Sequence, residues 1–398
     1  MKTILLVIDG AADFPCESLD GQTPLQAAHT PHLDALARTG IVGSVQVTPV
    51  DMYPGSDAAN MALLGYDPAK FYTGRGPIEA AAMQIPMEEK DVAFRCSLVT
   101  TDGVTMLDYS SGHIDTEDSR KLIELANSKL GTSSIKLFPG VSYRHIMRWT
   151  GGPTDVRTYP PHETVGRKLS EILPEGDGDV VLRKFIDDSI NLLNDLPFNK
   201  RRREEGISPA NTLWPWSPGR APQLTAFSKK RGVTGGLISA VDVVRGLGVL
   251  TGLQIINVPG ATGYFDTNYR GKAEYAVNAL DHHDFVWIHV EAPDEAGHMG
   301  SVEEKVKAIE NIDRHVVGTL RSLLDGKVDY RLLCAPDHMT PVSTTKHAIG
   351  PVPFLLYDST RPLNRGHQLP YDERALDQTS TVVDEGYRLM DMLIEGQA

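Results

Sequence analysis

Five short apolar runs, each closing on an acid or a glycine-rich turn, constrain this chain more than any other feature. They are Ile4–Ile8, Gly236–Val241, Gln254–Val258, Phe285–Val290 and Tyr330–Cys334. Runs of this length without polar alternation are the signature of strands buried on both faces, as in parallel sheets. Helical patterns lie around them at Thr30–Thr39, Ala273–Leu280, Val302–Leu324 and Ser380–Ile394. Strands alternating with helices predict an α/β fold, a mostly parallel sheet flanked by helices on both faces. Functional groups in such a sheet gather beyond the carboxyl ends of its strands.

Three of these strand ends carry side chains suited to cations. Asp9 closes the first run before Gly10, Asp294 and His298 follow the fourth in Glu291-Ala-Pro-Asp-Glu-Ala-Gly-His298, and Asp337-His338 follow the fifth, with His347 shortly beyond. Ser56 lies in Pro54-Gly-Ser-Asp-Ala-Ala-Asn60. An Asp-x-x-x-His pair is common on helix surfaces, Asp-Gly is ordinary turn chemistry, and Pro-Gly-Ser-Asp is a good turn for a plain serine. Their joint occurrence at successive strand ends carries the reading. Three carboxylates, three imidazoles and one hydroxyl are enough for two divalent cations, and the mixed oxygen and nitrogen set suits manganese, with magnesium, cobalt or zinc as alternatives, better than calcium. Ser56 at a helix start over 56–64 would meet backbone N–H groups that favour a phosphate. A serine held by such cations is a nucleophile at neutral pH. The residues together read as a two-metal phosphoryl-transfer enzyme.

The middle of the chain has a different texture. Val92–Val99, Val104–Ser110 and Ile135–Trp149 are β-rich, Asp102-Gly103 predicts a hairpin, and Thr116–Leu130 is helical. These features predict an inserted, smaller α+β cap domain over 91–174, leaving 1–90 and 175–398 as a discontinuous main domain. The segment Asp179–Asn199 reads as a helix returning to the main sheet, Arg201–Glu205 as its solvated extension, and Ser208–Pro222 as an irregular loop.

Bulk properties fit a globular enzyme of one large or two smaller domains: 398 residues, with 41% hydrophobic and 23% charged content. A net charge of −13 argues against nucleic acid as a partner. A small phosphorylated substrate remains compatible, because local arginines can dominate a cleft. The three cysteines, Cys16, Cys96 and Cys334, make no CxxC pair and read as free thiols of a reducing compartment. No run approaches the roughly 20 apolar residues of a membrane span, and the amino terminus reads as no signal peptide, so a cytoplasmic location is expected. The oligomeric state stays open.

Several longer motifs carry a family resemblance across nearly the whole chain. Asp9-Gly10, Pro54-Gly-Ser-Asp-Ala-Ala-Asn60, Leu64-Gly-Tyr-Asp-Pro68, Tyr72-Thr-Gly-Arg-Gly-Pro77, Gly260-Ala-Thr-Gly263, Glu291–His298 and Asp337-His338 resemble the archaeal-type, 2,3-bisphosphoglycerate-independent phosphoglycerate mutases of the alkaline phosphatase superfamily. The resemblance implies an alkaline-phosphatase-like fold and interconversion of 3-phosphoglycerate and 2-phosphoglycerate in glycolysis and gluconeogenesis. It implies no 2,3-bisphosphoglycerate cofactor. Asp9, Ser56, Asp337 and His338 would hold one cation, Asp294, His298 and His347 the other, and Ser56 would be phosphorylated during turnover.

Further substrate residues follow from the same resemblance. His113 in Ser111-Gly-His-Ile114 resembles the histidine that guides phosphate, and Lys230 in Ser228-Lys-Lys-Arg-Gly232 the phosphate-side lysine. Arg144 and Arg148 share one strand face four residues apart and are candidates for bidentate anion binding, and Arg220 in Pro218-Gly-Arg220 is a further candidate. A bacterial branch of similar length, sharing the segment Asn268-Tyr-Arg-Gly-Lys-Ala-Glu274, has been proposed to phosphorylate homoserine. The same centre would serve that transfer or simple phosphoester hydrolysis. The absence of a Walker-type phosphate loop favours the mutase.

Overall fold

The computed structural model describes residues 1–363 and 368–396. It divides into two compact units, Met1–Tyr72 with Leu224–Ala398, and Thr73–Gln223. The first unit is built on eight strands in the order Gln254–Ile255, Gly235–Ile238, Phe285–Val290, Lys2–Ile8, Tyr330–Ala335, Val352–Asp358, Ile41–Val45 and Val382–Val383. All run in one direction except Val352–Asp358, which is antiparallel to both neighbours. Register sets the central strand ends side by side, with Val7 opposite both His289 and Ala335.

The unbroken apolar runs are explained by two covered faces. Ile4, Leu6 and Ile8 join Val286, Ile288, Val290 and Leu332 in a core that includes Ala273 and Ala276 from one helix and Ile309, Val316 and Leu320 from another. Leu5, Val7, Trp287 and Leu333 alternate to the opposite face and are equally buried. The helix expected over Val302–Leu324 is present but contains a π segment at Ile312–Val317. Asp313 in that segment accepts from the backbone N–H groups of His32 (3.2 Å) and Leu33 (2.7 Å), capping the helix Pro31–Ala37.

One expected helix fails. In Ser380–Ile394 only Leu389–Glu395 is α-helical, because the β-branched Val382–Val383 pairs with Ile41–Val45 at the sheet edge. No helix among the described residues is long and apolar enough to cross a membrane.

The second unit is an α+β body around an antiparallel sheet. Asp91–Thr101 pairs with Met106–Asp108, Arg144–Thr150 and Thr212–Gly219, and Arg144–Thr150 pairs with Ile135–Phe138. The helix Thr116–Leu130 forms as expected, with Asp115 capping its start. The unit is wider than the 91–174 segment suggested by sequence texture, for two reasons. The helix Asp179–Leu193 does not return to the main sheet: Leu182, Phe185 and Leu193 share a core with Phe94, Cys96 and Leu98. Residues Thr212–Gly219, expected to be irregular, form a strand despite Pro215 and Pro218. Among the described residues it pairs only with Asp91–Thr101, and an edge position is where a strand tolerates proline.

Candidate metal centre

The carboxyl rim of the first sheet gathers its polar groups within bonding distance of one another. Asp9 follows Lys2–Ile8 directly, Asp337 and His338 follow Tyr330–Ala335, and Asp294 and His298 lie on the helix Ala292–His298 entered from Phe285–Val290. Ser56 is the first residue of the helix Ser56–Leu63. Its Oγ is 3.1 Å from His338 Nε2, which is 3.5 Å from Asp9 Oδ1 and 3.5 Å from Asp337 Oδ2. Asp294 Oδ2 lies 3.3 Å from His298 Nε2, and Asp294 Oδ1 lies 3.5 Å from His347 Nε2. The structure therefore brings all seven sequence-selected ligands together. A groove lined by Thr48, Pro49, Met52, Pro54 and Ile349 opens beside Asp337 and His338.

Hydrogen bonds around the cluster fix which atoms face inward. Thr340 Oγ1 donates to Asp294 Oδ1 and, its one proton used, accepts from His338 Nδ1 at 3.2 Å. That leaves His338 Nε2 as a bare acceptor, turned to the Ser56 hydroxyl. His298 Nδ1 donates to the Thr345 carbonyl at 3.0 Å, which turns its Nε2 toward Asp294. His298 Nε2 and His347 Nε2 stand 3.0 Å apart, an approach that requires a proton or a cation between them. Asn60 Nδ2 donates to Asp337 Oδ2 (2.7 Å) and to the Ser56 carbonyl (2.9 Å), while the N–H groups of Gly10 and His338 bond Asp337 Oδ1.

The electrostatics are those of an anion cage. Burial, with the like charges of Asp337 and Asp294, pushes the Asp9 carboxyl well above its ordinary range. Against burial, bonds from His298 and His347 hold Asp294 well below it. Burial lowers His289 and His338 to about 4, keeping both imidazoles in the neutral form that binds cations. Burial would also lower His298, but the Asp294 carboxylate raises it to about 9. Both oxygens of the fully buried Asp9 lack a hydrogen-bond partner. A carboxylate is buried in that state at a steep energetic cost unless a cation meets it, so the donor set fits divalent metal.

Gly10 is required at its place. It has φ of +61°, and a Cβ there would meet Asp294 Oδ1 at 2.5 Å and Thr340 Oγ1 at 2.6 Å. Gly10→Ala is expected to displace Asp294, weaken cation binding and destabilise the fold by about 2 kcal/mol. Native cation affinity in that variant, measured by titration, would show that the close approach is unimportant.

Three participants escape a reading of sequence alone. His289, on the strand Phe285–Val290, lies with Asp9 and Asp337 in one ligand-spaced group. Thr340 and Asn60 orient the ligands. The only sequence signal for His289 is a lone imidazole inside an apolar run.

The substrate candidates are divided between the two units. In the second unit, His113 is exposed at φ of +50°, ringed by Tyr109 and Tyr143, and Arg144 is exposed over the Tyr143 ring. Arg148 is tied down: its guanidinium donates to the Pro86 carbonyl at 2.6 Å, stands 3.7 Å from Asp91 and covers Phe138. Arg220 is exposed, its carbonyl accepting from Thr73. Arg75 begins a helix and bonds Glu79 at 2.7 Å. In the first unit, Lys230 lies on the short helix Phe227–Arg231 with its amine over Tyr66.

These features define an α/β protein whose sheet carries, at its carboxyl rim, a cluster of carboxylates and imidazoles able to hold divalent cations. The sequence model of the 2,3-bisphosphoglycerate-independent phosphoglycerate mutase family matches residues 37–199. A probable 2,3-bisphosphoglycerate-independent phosphoglycerate mutase of Geobacter sulfurreducens is 47% identical, the match covering 99% of this chain and 100% of the relative. The Methanosarcina mazei mutase is 42% identical over 99% of this chain and 100% of its own length. Among solved structures, the PH0037 protein of Pyrococcus horikoshii superposes with a TM-score of 0.82 at 27% identity, covering 99% of this chain and 96% of that one. The cofactor-independent phosphoglycerate mutase of Thermoplasma acidophilum gives 0.64 at 28% identity, with both chains fully covered. The chain belongs to the 2,3-bisphosphoglycerate-independent phosphoglycerate mutase family.

Proposed function

We propose that this protein interconverts 3-phosphoglycerate and 2-phosphoglycerate through a phosphoserine at Ser56. The observation that carries the reading is the placement of the Ser56 hydroxyl, at a helix start and 3.1 Å from a bare imidazole nitrogen inside the carboxylate cluster. The names of the full-length relatives support the substrate.

Asp9, Ser56, Asp337 and His338 would hold one divalent cation, and Asp294, His298 and His347 a second, manganese being the first choice. When bound, the cations supply the positive charge that lowers the serine pKa and takes up charge on the phosphoryl oxygens. Ser56 Oγ gives up its proton and attacks phosphorus in line: the Oγ–P bond forms, the P–O bond to the glycerate oxygen breaks, and that oxygen takes up a proton. In the second half the other glycerate hydroxyl gives up its proton and its oxygen bonds phosphorus, the Oγ–P bond breaks, and Ser56 Oγ takes up a proton. Asn60, bonded to the Ser56 carbonyl and to Asp337, keeps nucleophile and ligand in register. His113 and Arg144 anchor the glycerate, and Lys230 and Arg220 enter as secondary cations for the phosphoryl group. The free, buried cysteines agree with a cytoplasmic enzyme.

The direct test supplies purified protein with 3-phosphoglycerate alone and, separately, with homoserine and ATP. Formation of 2-phosphoglycerate is expected only in the first; phosphohomoserine in the second would replace this reading with the kinase. Arg144→Ala is expected to lower mutase turnover about 10²-fold, the scale of lost positioning, with little effect on hydrolysis of a generic phosphoester. Equal loss of both would make Arg144 a support of the fold.

A further inference from the structure

His289 is a fully buried imidazole that the two-cation arrangement does not use. It lies on Phe285–Val290, directly beside Val7 of the neighbouring strand, two residues before Asp9. Neither of its ring nitrogens has a hydrogen-bond partner. Its Nε2 is 3.2 Å from Asp9 Oδ2, whereas His338 Nε2 is 3.5 Å from Asp9 Oδ1. The two imidazoles thus take opposite oxygens of one carboxylate. Ligand atoms of Asp9, His289 and Asp337 all lie within 4.8 Å of one another, and all three residues are buried. Lys272, the buried amine on the neighbouring helix Tyr269–Ala279, donates to the His289 carbonyl at 2.8 Å and fixes the strand rather than answering the ring.

Polar atoms of a buried imidazole and a buried carboxylate that face each other without hydrogen bonds are a pattern that a cation between them satisfies. Asp337 retains lone pairs beyond those used by Gly10, His338 and Asn60, since an ionised carboxylate offers about four. We infer that Asp9, His289 and Asp337 form a third, inner divalent-cation site, joined through the Asp9 carboxylate to the site that holds Ser56. Two carboxylates and one imidazole suit manganese, zinc or magnesium, and full burial makes the site structural rather than open to substrate. The inference goes beyond the two-cation reading and shares Asp9 and Asp337 with it.

Cation counting separates the two. Protein stripped with EDTA and refilled with Mn²⁺ by equilibrium dialysis is expected to hold three ions per chain, and His289→Asn two, with mutase activity not needed for the readout. A native count of two overturns the inner site and leaves the two-cation reading standing; a count below two overturns both. Three ions in His289→Asn would remove His289 as a ligand. Should that variant fail to fold, as judged by circular dichroism, cadmium NMR of the loaded native protein decides: three resonances support the site and two overturn it.

Discussion

Ser56→Ala is expected to lose mutase turnover by at least about 10⁴-fold, within the range seen when a catalytic nucleophile is removed. The substitution deletes one hydroxyl at the first position of the helix Ser56–Leu63, where backbone bonds such as Ala59 N–H to the Gly55 carbonyl remain intact. Asp9, Asp294 and Asp337 and the three imidazoles are untouched, so cation content should fall little and the thermal midpoint should stay near native. Mass spectrometry of quenched native enzyme should find phosphate on Ser56 and none in the variant. Substantial turnover by purified Ser56→Ala would exclude a covalent route.

Exhaustive chelation is expected to abolish activity completely and Mn²⁺ to restore it. The metal-free state has a distinct pH signature. His298 is raised from 6.5 to about 9 by Asp294, so in the absence of metal its proton contributes stability that is complete below pH 6.5. That contribution is lost as pH rises through 9. A cation bound there would take the place of this proton beside His347, so its affinity should climb over the same window with release of protons. Calorimetric titrations in buffers of different ionisation enthalpy would measure that release. Metal affinity that is flat from pH 6.5 to 9 would remove His298 from the ligand set, and full activity after chelation would remove the metal centre from the mechanism.

Much of this architecture was legible because parallel strands announce themselves. Ile4–Ile8, Phe285–Val290 and Tyr330–Cys334 are apolar on both faces and turn acidic or glycine-rich just past their ends, so the rim and its ligands could be read together. The misses have local causes. Pro215 and Pro218 disguise Thr212–Gly219, since only its edge position permits them. The tract 380–394 carries a helical period, but two β-branched residues join a strand edge first. His289 reads as one polar letter in a buried run; its role depends on register, which places it beside the strand that ends in Asp9. Arg148 has the spacing of an anion binder, but its contacts with Pro86, Asp91 and Phe138 depend on tertiary packing that spacing does not reveal.

The Gly10 N–H and the Asp337 carboxylate that it bonds are 327 residues apart in the chain. A ribosome must therefore add all the intervening chain before the partners of the first strand exist. Until Tyr330–Ala335 docks, Asp9 has no Asp337 or His338 beside it, and a nascent chain has no means of gripping a cation tightly. Metal loading through these residues is thus expected only after Tyr330–Ala335 has docked. Scarcity of the ion during synthesis should leave a pool of folded, fillable apoprotein rather than a tangle of prematurely chelated intermediates.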